Sequence, residues 1–225
     1  MSLSAAKFGN MMRSNLAKRL ISAVIMALVC GLCLLLGGIY FQVMVAFLAL
    51  AMMFELMQLA GRCWRQLSFY HIAVVLGGAA YISLSLISLL WLRDQPNGLY
   101  WTAALVLMVI ATDLGGYIVG RLVGGPKLMP RISPNKTISG LAGAMIFSAI
   151  VGFIMLGQGG LGMMIGAAIG FIAQAGDLLE SMIKRRAGAK DSGTLIPGHG
   201  GVLDRMDGYL AALPSFVIFY QLLLI

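Results

Sequence analysis

Long apolar runs separated by short polar breaks dominate the chain, and seven of them can be read as membrane-crossing helices. The first extends from Leu20 to about Gly37 and, after a very short turn, a second runs from about Phe41 to Ala60, which predicts a tight hairpin. A third covers Phe69 to Leu92 and ends at Arg93-Asp94-Gln95-Pro96-Asn97-Gly98, whose proline and Asn-Gly pair predict a turn. The fourth runs from Leu99 to about Val119, the fifth from about Ile138 to Leu156, the sixth from Leu161 to about Leu179, and the last from about Gly208 to Ile225. Gly162, Gly166 and Gly170 recur every fourth residue in the sixth run, predicting a face for close helix packing. The expected fold class is therefore an all-α polytopic membrane protein with about seven transmembrane helices.

Charge sets the orientation. The chain has 16 Lys and Arg against 8 Asp and Glu. If the N-terminus is cytoplasmic, every basic residue except Arg93 falls in a segment on the cytoplasmic side, as the positive-inside bias demands. Lys7, Arg13, Lys18 and Arg19 occupy the N-terminal tail, which has no signal-cleavage pattern and is expected to be retained. Arg62 and Arg65 follow the second span, and the remaining basic residues lie in two polar segments that this topology places on one side. We accordingly divide the chain into an N-terminal transmembrane region, 1–110, and a C-terminal transmembrane region, 111–225, which carries cytoplasmic loops 121–139 and 181–205 and, as the residues below imply, the catalytic groups.

Composition excludes a soluble domain: 60% of residues are hydrophobic and 11% charged. A net charge of +8 reads here as cytoplasmic loops and contact with anionic lipid, not as nucleic-acid binding. Cys30, Cys33 and Cys63 lie in or beside apolar runs with no redox domain around them and read as packing residues. One histidine, His199, without a second His or Cys nearby is a poor zinc signal.

Within this apolar chain, five of the eight acids (Asp177, Glu180, Asp191, Asp204, Asp207) are concentrated between Gly176 and Gly208, interleaved with Lys184, Arg185, Arg186, Lys190 and Arg205. Carboxylates hold hard cations, Lys and Arg hold phosphate, and glycines let backbone N–H groups approach an anion. The mixture points to metal-assisted phosphate chemistry. Asp177, Glu180, Ser181 and Lys184 recur at spacings of three and four, placing them on one helical face, and Asp204 and Asp207 are again three apart. Two such carboxylate pairs could hold Mg²⁺ bridging phosphate oxygens, although Asp204 and Asp207 could equally serve the dipole of the last helix. Segment 121–139 carries Arg121, Lys127, Arg131 and Lys136 without an acid and suits an anion. Asp113, inside the fourth span, is either functional or paired with a cation, and Glu55 either meets a polar partner or lines a cavity.

The run Ser181-x-x-Lys184-Arg185, then Lys190-Asp191, then Pro197-x-His199-Gly200-Gly201-x-x-Asp204-Arg205-x-Asp207 resembles the signature of the phosphatidate cytidylyltransferases (CDP-diacylglycerol synthases). Ile132 to Thr137 (ISPNKT) is similar to that family's Ser-Pro-x-Lys-Thr loop, and Asp113 with Gly120-Arg121 to a second segment. Ser139 and Gly208 depart from residues common in the family, Glu and Ser. The resemblance implies joining of CTP and phosphatidate in the membrane to give CDP-diacylglycerol and pyrophosphate, with Mg²⁺ as cofactor. It further implies a bacterial inner membrane, an active site facing the cytoplasm, no nucleic-acid partner, and a homodimer compatible with the apolar N-terminal spans. By this resemblance Asp177, Lys184, Asp204 and Asp207 are catalytic, with the three aspartates as metal ligands. Ser133, Lys136, Arg121, Lys190, Arg185, His199 and Arg205 bind substrate, and Asp113, Glu180 and Asp191 are further candidates. Two other classes compete: a secondary transporter of an anion, which requires repeat symmetry and charge near mid-membrane, and another Mg-dependent lipid-phosphate transferase such as a CDP-alcohol phosphotransferase.

Overall fold

A computed structural model describes residues 21–63, 69–196 and 200–224. Among the described residues there are seven α-helices: α1 (Ile21–Leu36), α2 (Gly38–Cys63), α3 (Phe69–Asp94), α4 (Gly98–Leu122), α5 (Ile138–Leu156), α6 (Gly160–Arg186) and α7 (Leu203–Phe219). A π-helical segment, Tyr220–Leu224, extends α7. Among the described residues six helices, α2 to α6 and α7 with its π-helical extension, are long and apolar enough to cross a membrane, whereas the described part of α1 is shorter. The protein is a polytopic helical membrane protein. The N-terminal tail lies outside the described residues.

The predicted spans coincide with helices, but two ends shift. Helix α6 does not stop near Leu179 but runs on through Lys184, Arg185 and Arg186, and α7 begins at Leu203 instead of Gly208. Arg185 and Asp204, within the segment expected as loop 181–205, therefore sit on helix ends, as does Lys184 on the helical face read from its spacing. Segment 121–139 is not irregular either. It folds into an antiparallel hairpin of β1 (Lys127–Met129) and β2 (Ser133–Thr137), with Lys127 opposite Thr137 and Met129 opposite Ser133. The turn at Asn97-Gly98 forms as the dipeptide predicts: Asn97 adopts a left-handed conformation (φ 57°) and the Gly98 amide donates to the Gln95 carbonyl at 2.7 Å.

Helix α5 lies against α4 on one side and α6 on the other, and small residues set both distances. A Cβ on Gly143 would come within 2.4 Å of Val119 Cβ, and one on Gly166 within 2.4 Å of the Ser148 carbonyl. The backbones are too close for any side chain there. The core between α2, α3, α4, α6 and α7 is filled by Met52, Leu59, Leu92, Leu105, Met108, Ile169, Leu213 and Phe216. At one end of the bundle Tyr220 meets Trp91 and Trp101 edge-on, at centroid distances of 5.9 and 5.2 Å. Pro214, inside α7, has no N–H for the carbonyl of Leu210 four residues earlier, and the Ser85 hydroxyl of α3 stands in for it, 2.5 Å from that oxygen and 2.7 Å from the Tyr81 carbonyl, which share its one proton. Arg93 and Asp94 close α3 at this end, and the other charged side chains of the described residues gather towards the opposite end of the bundle.

Candidate active site

Three elements converge at the charged end. Helix α4 finishes at Arg121 and Leu122, the hairpin folds back, and β2 passes directly into α5 through Thr137. Thr137 has extended dihedrals, and its hydroxyl accepts the Gly140 amide at 3.0 Å, which caps α5. The hairpin is tied to α6, since Arg185 Nε donates to the Ile132 carbonyl at 3.1 Å. The two polar segments singled out in the sequence thus meet.

Between them lies a cavity of about 560 Å³. Asp113, Gly116, Tyr117 and Gly120 line it from one face of α4, and Gln174 and Asp177 from α6; Lys127, Asn135 and Lys136 come from the hairpin. Glycines on the α4 face leave the room open. Lys136 Nζ is 2.6 Å from Asp177 Oδ2 and also reaches the Gln174 carbonyl at 3.4 Å. Ser181 donates its hydroxyl to Asp177 Oδ1 at 3.2 Å. Arg121 donates to the Tyr117 hydroxyl at 2.6 Å. Asp113 takes part in no ion pair among the described residues. Three cations and two carboxylates thus face one open space.

The face shared by Asp177, Glu180, Ser181 and Lys184 divides in two. Asp177 lines the hairpin cavity with Ser181 bonded to it, whereas Lys184 pairs with Asp204 of α7 and Glu180 borders a cavity with Asp207. Lys184 Nζ lies 2.7 Å from Asp204 Oδ1 and 3.0 Å from Glu180 Oε1. Asp204 also accepts the backbone N–H of Ser192 at 2.9 Å and of Gly201 at 2.8 Å, both at Oδ2. Its carboxylate is occupied by a cation and two amides. Asp207, one turn on, accepts the Gly208 amide at 2.8 Å and borders a small cavity of about 40 Å³ with Glu180 and Tyr81.

The other candidates are dispersed. Lys190 and Asp191 line a separate cavity of about 260 Å³ with Arg62 and Gln58 of α2. Ser133 begins β2 opposite Met129 and does not line the main cavity, and Arg205 is exposed on the first turn of α7. His199 lies outside the described residues. Sequence reading named Lys127 within the anion-binding segment but missed Asn135, Tyr117 and Gln174 as cavity residues. Gln174, a polar residue three positions before Asp177 in an apolar span, carried a usable signal.

Among the described residues no three His, Cys, Asp or Glu side chains form a ready-made metal cage. Mg²⁺ does not require one, since it is held by one or two carboxylates together with substrate phosphates and water. Asp113 and Asp177, hard oxygen donors lining a cavity that also carries phosphate-binding cations, fit that mode.

A cytidylyltransferase-family model matches residues 65–223. The chain belongs to the cytidylyltransferase family. A phosphatidate cytidylyltransferase of Brucella suis is 45% identical over 148 residues, covering 63% of this chain and 55% of that protein. Proteins of the same name from Staphylococcus haemolyticus and Staphylococcus aureus are 39% and 35% identical, covering 73% and 79% of this chain and 65% and 70% of theirs. The match to the Brucella protein thus spans little more than half of its length. The family segment contains every site residue described above except Arg62 and Gln58.

Proposed function

We propose that the protein is a phosphatidate cytidylyltransferase, transferring the cytidylyl group of CTP to phosphatidate to give CDP-diacylglycerol and pyrophosphate. The observation that carries this reading is the cavity in which Lys136, Lys127 and Arg121 face Asp113 and Asp177 at the end of membrane-crossing helices. A phosphate oxygen of phosphatidate forms the new bond to the α-phosphorus of CTP, and the bond from that phosphorus to the oxygen bridging the β-phosphate breaks. The attacking phosphate monoester is already ionised at neutral pH, so the site needs no strong base. The obstacle is repulsion between two polyanions, and three cations around one cavity oppose it.

Lys136 is held against Asp177 in this structure. An arriving triphosphate competes for its ammonium group, which moves from carboxylate to phosphate and releases an Asp177 oxygen into the cavity. Asp177 and Asp113 would hold Mg²⁺, which when bound would offset negative charge on the phosphate oxygens and on the departing pyrophosphate. Lys184, paired with Asp204 and Glu180, ties the end of α6 that carries Asp177 to the start of α7. We place the protein in a bacterial inner membrane with the charged end towards the cytoplasm, where CTP is available. An anion transporter would need its charges near mid-membrane, whereas here they collect at one end. The test is incubation of purified protein in mixed micelles with phosphatidate, Mg²⁺ and CTP labelled in the cytidine. Labelled lipid together with released pyrophosphate is the expected result, and absence of labelled lipid at any Mg²⁺ concentration overturns the proposal.

A further inference from the structure

Glu55 lies in α2, ahead of the segment that matches the family, and is 1% exposed. No cation pairs with it among the described residues. Its carboxylate accepts three hydrogen bonds instead. Oε1 takes the Val202 amide at 3.0 Å, and Oε2 takes the Leu203 amide at 2.9 Å and the Ser192 hydroxyl at 3.0 Å. Val202 and Leu203 open α7, so the buried charge satisfies two of its orphan N–H groups and faces the positive end of its dipole. The loop is pressed tightly onto this group. A Cβ on Gly193 would come within 2.5 Å of Glu55 Oε1, and one on Gly201 within 2.4 Å of Oε2.

Ser192 joins this contact to the ion pair described above. Its hydroxyl goes to Glu55 and its backbone N–H to Asp204, which holds Lys184. We propose that Glu55 is a positioning residue: from α2 it fixes Ser192 and the start of α7 at Val202 and Leu203, and thereby the placement of Asp204, Lys184 and Asp207. That these groups serve nucleotidyl transfer rests on the function proposed above. The anchoring itself does not.

The neutral variant Glu55→Gln must turn an NH₂ towards one of these donors and loses the charge at the helix start. Hydrogen exchange at the amides of residues 200–204, followed by mass spectrometry on the full-length protein in micelles, should accelerate by about tenfold or more. Turnover should fall by about tenfold or more while KM for CTP stays within about twofold, because Glu55 does not touch the cavity that holds Lys136. Gly193→Ala perturbs the same contact without altering a charge, and should give the same combination if Glu55→Gln fails to fold. Unchanged exchange in these variants would overturn the anchor. Faster exchange with unchanged turnover would overturn the positioning role, as would a loss confined to KM for CTP. If the wild-type protein makes no CDP-lipid, the proposed function falls, and the exchange data alone decide the anchor.

Discussion

Asp204 and Asp177 look equivalent in the sequence, and the structure predicts that their amides behave differently. In Asp204→Asn the perturbed side chain is 7% exposed, and it accepts from Lys184 and from the amides of Ser192 and Gly201. Hydrogen bonds to a charged group contribute about 1.5–3 kcal/mol each, and removing one partner of a buried ion pair costs about 3–5 kcal/mol. Lys184 keeps Glu180 at 3.0 Å, and asparagine keeps one acceptor oxygen, so the loss falls near the lower end, at about 2–3 kcal/mol. At roughly 2–4 °C per kcal/mol for a chain of this size, the melting temperature should drop by roughly 4–12 °C. Asp177 is 28% exposed and loses one water-accessible pair, so Asp177→Asn should cost less than about 1 kcal/mol. Both substitutions should abolish most turnover. Thermal unfolding of the purified variants in the same detergent, followed through tryptophan fluorescence, separates them. Equal melting shifts for the two, or an unshifted Asp204→Asn, would refute the assignment of Asp204 to the clamp that holds α6 and α7 together.

Lys136→Ala should raise KM for CTP by about tenfold or more, with Lys136→Arg intermediate, since one charge-assisted phosphate contact is lost; initial rates across a CTP series check this, and an unchanged KM would remove Lys136 from the phosphate site. Ser85→Ala leaves the Leu210 carbonyl without the hydroxyl that compensates for Pro214, and should lower stability by about 1–2 kcal/mol with little effect on KM for CTP, as read by thermal unfolding beside initial rates. Cysteines placed at Thr194 and Pro96, both exposed and at opposite ends of the bundle, should react with an impermeant maleimide from the cytoplasmic and the outer side respectively in a background lacking Cys30, Cys33 and Cys63. Reaction of the Thr194 variant from outside would reverse the orientation and deprive the site of CTP.

The sequence by itself determined the spans, because lipid requires continuous apolar runs of nearly fixed length and the breaks between them are polar. It also determined the close face of α6, since glycines at four-residue spacing have few other uses in a membrane helix, and the turn at Asn97-Gly98. The concentration of scarce acids between Asp177 and Asp207 marked the charged end before any contact was known. Only the tertiary structure decided how those charges are shared. Asp177 meets Lys136, from a hairpin whose strands of three and five residues, one containing Pro134, are too short for a periodic signal. Asp204 meets Lys184 twenty positions earlier, on a helix that continues past the end of its apolar run. Glu55 finds its donors 137 to 148 residues away. Hydropathy and spacing report the local environment of a residue along its own helix. The partner of a buried charge is set by which helix ends the packing brings together, and that depends on the whole bundle.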